Sequence, residues 1–226
     1  MFRIPFEDML NAPNMHSCPL CQSLETQHYY QDKRREYLQC LQCELVFVNP
    51  DQRLDAKQEK AHYDLHENDP NDQGYRRFLS RVADPILERI EANSHGLDFG
   101  CGPGPTLSLM LEEQGHTMSL YDIYYHPNPS VLENSYDFIT ATEVIEHLYE
   151  PNKVWQQWLN LVKPGGWIGL MTKMVIDLEA FRTWHYKNDP THVVFFSRDT
   201  FQFLAERDKL ELEFIGNDVI LLRKAQ

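Results

Sequence analysis

Leu97-Asp98-Phe99-Gly100-Cys101-Gly102-Pro103-Gly104 joins a short apolar stretch to a helical pattern carrying Leu107, Met110 and Leu111. A strand, a glycine loop and a helix in that order predict the first unit of an open α/β sheet, in which ligands bind outside the carboxyl ends of the strands. Glycines there let the backbone come close to a ligand and adopt conformations closed to other residues. A dinucleotide fingerprint requires G-x-G-x-x-G, but Pro105 stands three residues after Gly102. The spacing G-x-G-x-G behind an acid suits a ligand with an amino group and no pyrophosphate. Asp122 lies 24 residues beyond Asp98, at the end of the next apolar stretch. It is placed to accept two hydrogen bonds from ribose hydroxyls.

The surrounding pattern repeats the unit. Residues 117–121, 136–142 and 167–171 read as strands, with a helix starting at Glu143. Val154, Trp155, Trp158, Leu159 and Val162 form an amphipathic helix that stops at Lys163-Pro164-Gly165-Gly166. Two apolar runs around Gly216-Asn217 signal a closing hairpin. Upstream, Phe78, Leu79, Val82, Ile86, Leu87 and Ile90 recur at helical spacing, with Pro85 a kink. The expected fold is α/β: a doubly wound, mostly parallel sheet with a C-terminal antiparallel hairpin, over residues 96–226. Residues 51–95 are expected to form a helical linker covering the ligand.

The chain has 226 residues, 42% hydrophobic, enough for one core and a small appendage. No apolar run approaches the ~18–20 residues of a membrane span, and residues 1–20 lack a signal-peptide pattern, so a cytoplasmic protein is expected. The net charge of −13 disfavours a general nucleic-acid binder.

Four of the five cysteines fall in the first 43 residues. Cys18-Pro-Leu-Cys21 and Cys40-Leu-Gln-Cys43 are separated by 18 residues, the spacing of a structural Cys₄ zinc site. A segment of residues 1–50 cannot bury enough core to fold alone, which a zinc ribbon remedies. The competing reading, two disulfides, is rare in a reducing compartment. Lys33-Arg34-Arg35, between the knuckles, reads as a solvated hairpin tip or as a phosphate contact.

Residues 98–104, Asp122, the run Tyr136-Asp137-Phe138-Ile139-Thr140-Ala141-Thr142-Glu143-Val144-Ile145-Glu146-His147 and Lys163-Pro164-Gly165-Gly166 together resemble the successive motifs of class I S-adenosylmethionine-dependent methyltransferases. The resemblance is strongest to the ubiquinone-biosynthesis O-methyltransferase branch, and it covers residues ~75–226. It implies a Rossmann-like fold and S-adenosylmethionine as cofactor. By position, Gly100, Gly102 and Gly104 would line the methionine part, Asp98 would face its amino group, Asp122 would hold the ribose and Thr142 would lie alongside. Only 13 residues separate Asp122 from Tyr136, so the family's third strand and its adenine-contacting acid must be shortened or missing. Cys101 reads as a small filler of the loop.

Glu143, Glu146 and His147 stand at i, i+3 and i+4, which on a helix puts them on one face. Two carboxylates and an imidazole suit a divalent metal. Similar segments carry magnesium in ubiquinone O-methyltransferases and in small-RNA 2′-O-methyltransferases; in the latter a further histidine, downstream of the next strand, completes the site, and His192 stands at about that place. The alternatives are His147 as a metal-free general base, or a purely structural trio. Tyr63, Tyr75, Trp184, His185, Tyr186 and His192 could wall an acceptor pocket. The leading expectation is therefore an O-directed methyltransferase acting on a small or conjugated acceptor, with structural zinc and a possible magnesium. An RNA methyltransferase docked by the ribbon and a non-catalytic zinc-ribbon adaptor are the competitors.

Overall fold

The computed structural model describes residues 16–64 and 69–226. The leader expectation for residues 1–20 therefore falls largely outside the described residues. Among the described residues, no helix is long and apolar enough to cross a membrane.

The main sheet has six strands: β4 (His95–Phe99), β5 (Thr117–Tyr121), β6 (Tyr136–Thr142), β7 (Val162–Met171), β9 (Leu210–Ile215) and β10 (Val219–Lys224). Their spatial order is β5-β4-β6-β7-β10-β9. The first four are parallel, and β10 runs antiparallel to both β7 and β9. This is the doubly wound sheet with a closing hairpin that the sequence predicts. Parallel strands must be covered on both faces. On one face, Trp155 and Trp158 of α4 (Pro151–Leu161) and Phe201 and Leu204 of α6 (Arg198–Asp208) pack on Leu97, Ile139 and Ile168. On the other, α2 (Gln73–Leu87) supplies Leu79, Val82 and Ile86, and α3 (Thr106–Glu112) supplies Leu107 and Leu111, against Phe138 and Leu221. Gly96 is needed here, because a Cβ would stand 2.2 Å from the Phe138 ring. Pro85 falls in the last turn of α2, which ends two residues later, so the helix loses little.

The gap after Asp122 has the expected consequence. A backbone bridge from Asp122 to His126 and a 3-10 turn at Pro129–Glu133 replace a strand, leaving β5 at the edge. One sequence expectation fails in detail: Lys163-Pro164-Gly165-Gly166 does not merely stop α4 but lies inside β7.

The N-terminal ribbon is built from β1 (Thr26–Gln31), β2 (Glu36–Cys40) and β3 (Val46–Val48), all antiparallel. Its sheet gains a fourth strand from far downstream, β8 (Val194–Phe195), paired to β3. Tyr37, Val46 and Val48 of the ribbon share a buried cluster with Phe181, Tyr186 and Phe195. The remaining helices are α1 (Ala56–Tyr63) and α5 (Leu178–Thr183).

Candidate active site

A cleft of about 750 Å³ opens at the carboxyl ends of β4, β5 and β6, and Asp98, Gly100, Gly102, Gly104, Asp122 and Thr142 all line it. The loop after β4 turns through left-handed residues, Gly100 (φ 75°) and Gly102 (φ 65°). A Cβ on Gly100 would meet Val144 at 2.5 Å, so the loop sits this close only because position 100 is glycine. Asp98 is buried, and its carboxylate accepts hydrogen bonds from Ser108 Oγ (2.9 Å) and Thr140 Oγ1 (3.2 Å). Burial outweighs those bonds and pushes its carboxyl up to about 6.

Asp122 ties the two loops together. Its Oδ1 accepts the Tyr124 and Tyr125 amides (2.8 and 3.0 Å), and its Oδ2 accepts the Gly102 amide (3.1 Å). Three of about four lone-pair sites are thus taken. The expectation of two ribose hydroxyls on this carboxylate is reduced to one unless a loop amide lets go. Thr142 Oγ1 is buried without a hydrogen-bond partner among the described residues, which fits a polar ligand group beside it. Cys101 is a small, buried member of the cleft wall, as expected, and burial pushes its thiol up.

The expected helix at Glu143 does not form. Glu143 is left-handed (φ 53°) and Val144 lies outside helical space, so only a three-residue 3-10 turn, Ile145–His147, precedes α4. Spacing i, i+3, i+4 therefore does not align the trio on one helix face. The turn sends Glu146 inward, 1% exposed, and leaves Glu143 and His147 on the cleft wall. His192 also lines the cleft, with its ring centroid 4.6 Å from that of His147. Ligand atoms of Glu146, His147 and His192 all lie within 4.8 Å of one another. Glu143 stands outside that cluster, so the geometry groups three of the four expected residues. Its Oε2 instead accepts from Tyr186 Oη (3.2 Å), the same phenol that donates to Glu146 Oε1. The phenol has one proton, which the two carboxylates share. Burial, followed by the charge of Glu143, pushes the Glu146 carboxyl up to about 8, and Glu146 Oε2 has no hydrogen-bond partner among the described residues. A cation or a proton fits that orphaned oxygen.

Each histidine has its tautomer dictated by a carbonyl. His147 Nδ1 faces Thr191 O at 3.2 Å, and His192 Nδ1 faces Tyr186 O at 2.8 Å. A carbonyl only accepts, so both Nδ1 atoms carry hydrogen, and Asp189 Oδ2 stands 3.9 Å from His192 Nε2. Burial lowers His192 to about 4, keeping it neutral.

Of the expected acceptor wall, Tyr63, Tyr75 and His192 line the cleft. Trp184, His185 and Tyr186 do not. Trp184 packs on Phe181 and Phe195, His185 meets Lys173, and Tyr186 lies behind the carboxylates. Sequence reasoning missed three contributors. Glu59 on α1 accepts from Tyr63 Oη (3.2 Å) and Tyr124 Oη (2.9 Å), and His62 reaches Asp189 Oδ1 (3.4 Å), so α1 is fastened over the cleft. The third is Asp189 itself, which also lines the cleft.

The four ribbon thiols also converge, all within 4.8 Å, with Sγ–Sγ distances of 3.5 Å (Cys18–Cys43) and 3.4 Å (Cys21–Cys40). Disulfide bonds would be about 2.05 Å long. Two like turns present the pairs: Gln22 and Glu44, both left-handed, donate their amides to Cys18 O and Cys40 O. Hydrogen bonds from neighbouring thiols lower Cys40, while Cys18 and Cys43 are raised. A divalent cation would hold all four as thiolates. At about 2.3 Å per Zn–S bond, a tetrahedron needs sulfurs roughly 3.8 Å apart, close to what is present.

A family model described as a methyltransferase domain matches residues 66–213. The ubiquinone biosynthesis O-methyltransferase of Shewanella sp. (strain ANA-3) is 31% identical over 86 residues, 38% of this chain and 36% of that protein. The chain therefore spans only about a third of the length of such relatives. Among solved structures, an O-methyltransferase family protein from Burkholderia thailandensis superposes with a TM-score of 0.55 at 13% identity, covering 76% of this chain and 60% of the other. The 1,6-didemethyltoxoflavin-N1-methyltransferase of the same organism, bound to its substrate and S-adenosylhomocysteine, gives 0.50 at 14% identity, covering 88% and 100%.

Proposed function

The chain belongs to the methyltransferase-domain family, whose members draw on S-adenosylmethionine, and from that premise we propose that it methylates an oxygen of a small or conjugated acceptor. The observation that carries this reading is one cleft in which the glycine loop and Asp122 adjoin two neighbouring histidines with a buried carboxylate behind them. The weak kinship with O-methyltransferases points the same way.

The cofactor supplies a methyl group already activated by positive sulfur. The protein must align an acceptor in line with that methyl and take one proton from it. Asp98 would face the cationic amino group, Gly100, Gly102 and Gly104 would cradle the methionine part, Asp122 would take a ribose hydroxyl, and Thr142 would offer its orphaned hydroxyl. His147 and His192 would meet the acceptor. A divalent cation such as magnesium, held by Glu146, His147 and His192, would acidify a bound hydroxyl. In its absence, His147 Nε2 would accept the proton itself. The four ribbon cysteines would hold a structural zinc. A screen that follows S-adenosylhomocysteine release over phenols, catechols, amines and thiols tests the reading. Turnover confined to amines or thiols would end the O-directed part.

Two cofactor predictions follow from the geometry. Asp122→Ala removes a charge-assisted bond to ribose and frees three loop amides, and should weaken S-adenosylhomocysteine binding about tenfold or more by calorimetry. Unchanged affinity would put the ribose elsewhere. Asp98 carries the pH dependence. Its folded-state carboxyl is raised from 3.8 to about 6, so the unliganded fold favours the protonated form and loses stability as pH rises through 6. A bound ammonium group favours the ionised form instead. Affinity should therefore rise about tenfold from pH 5 to pH 7 and then level, and Asp98→Asn should abolish the rise. A flat profile in the parent protein would detach Asp98 from the amino group.

A further inference from the structure

Arg35 sits where the sequence shows only a basic hairpin tip, yet it is 8% exposed. Its guanidinium reaches out of the ribbon into a segment more than 150 residues away. Nη1 donates to the carbonyls of Pro190 (3.2 Å) and His192 (2.8 Å), and Nη2 to those of Asp189 (2.9 Å) and Lys187. That segment starts within a 3-10 turn, His185–Asn188, and runs up to β8, so most of its carbonyls have no ladder to join. Buried carbonyls need donors, and one planar fork supplies four.

The same segment holds the histidines. Tyr186 O fixes the His192 ring, Thr191 O fixes the His147 ring, and the Val193 amide donates to Glu146 O (2.9 Å). On the ribbon side, the Val48 amide donates to Val193 O (2.9 Å). The base of the arginine is set in turn: Asp32 Oδ1 accepts the Arg34 and Arg35 amides (2.7 and 2.9 Å), and Asp32 Oδ2 accepts from Tyr37 Oη (3.0 Å). Among the described residues, Arg35 makes no hydrogen bond to the glycine loop or to Asp122.

We propose that Arg35 is a positioning residue for the transfer site: through the carbonyls of residues 187–192 it sets the ring orientations of His192 and His147, which makes the cysteine ribbon a support behind the active site. This rests on the reading of those histidines as the acceptor side of the cleft. A lysine has one nitrogen with three hydrogens and cannot span four carbonyls, so retaining the charge will not retain the geometry.

The test compares Arg35→Lys and Arg35→Met with the parent protein, full length and zinc-loaded. Imidazole ¹⁵N spectra of the parent should show both rings as Nδ1–H tautomers. In Arg35→Lys, the His192 and His147 signals should move toward a tautomer mixture. Manganese(II) affinity should fall at least tenfold, while S-adenosylhomocysteine affinity stays within twofold and zinc content is unchanged. Imidazole signals unaltered in both variants would overturn the proposal. So would a loss of S-adenosylhomocysteine binding in step with the imidazole change, because that marks a general structural prop. If manganese(II) fails to bind even the parent, the cation reading of the site falls, and the imidazole spectra still decide the role of Arg35.

Discussion

Replacing His147 with alanine should lower methyl transfer on a true acceptor by a factor on the order of 10²–10⁴ while leaving cofactor affinity within about twofold. His147 lines the cleft, and Thr191 O at its Nδ1 holds the ring in place. The loss is expected whether the ring accepts the proton or joins Glu146 and His192 around a cation, and chelation separates the two. With a cation, activity vanishes on mild chelation and returns with magnesium, and Glu146→Gln shares the defect. With a lone base, chelator does nothing, and Glu146→Gln, which keeps the shape of a buried side chain, is close to silent. Full activity of His147→Ala would remove the histidine from the reaction. Glu143→Gln should affect turnover less than Glu146→Gln does, because Glu143 stands outside the three-residue cluster.

The second large effect belongs to the ribbon. Metal analysis of protein purified without added zinc should find about one equivalent per chain. Cys40→Ser should destroy the site, since structural zinc contributes an apparent ~10–16 kcal/mol in small cysteine-rich modules. The damage should spread: β3 pairs with β8, and Tyr37 shares a core with Tyr186 and Phe195, so losing the ribbon should also loosen the His192 segment. Amide exchange over residues 186–195 should accelerate in Cys40→Ser while the strands β4 and β6 stay protected. A metal-free ribbon that remains folded would contradict this, and so would exchange confined to residues 16–48.

Much of the fold was legible because buried parallel strands read as apolar runs between helical periods, and because the glycine loop punctuates the first unit. Even the shortened connection after Asp122 was visible as a count of residues. The site was legible by type but not by shape. Periodicity placed Glu143, Glu146 and His147 on a helix, since a left-handed glutamate leaves no mark in a hydrophobic pattern. His192 was found through the resemblance to methyltransferases in which a further histidine follows the next strand. Arg35 was not, because a basic triplet at a hairpin tip looks solvated, and its four partners are carbonyls, which carry no side-chain signature. Likewise β8 is two residues long, too short to announce that the ribbon sheet continues into the larger unit.

The central claim is that one cleft holds S-adenosylmethionine on the glycine loop and Asp122, with His147 beside it. Calorimetric titration of the purified chain with S-adenosylhomocysteine, followed by imidazole spectra of the same samples, tests it most directly. The expected result is one equivalent bound, weakened at least about tenfold by Asp122→Ala, with the His147 signals shifting on binding and the ribbon unaffected. No saturable binding, or binding that ignores Asp122→Ala and leaves His147 undisturbed, would contradict it.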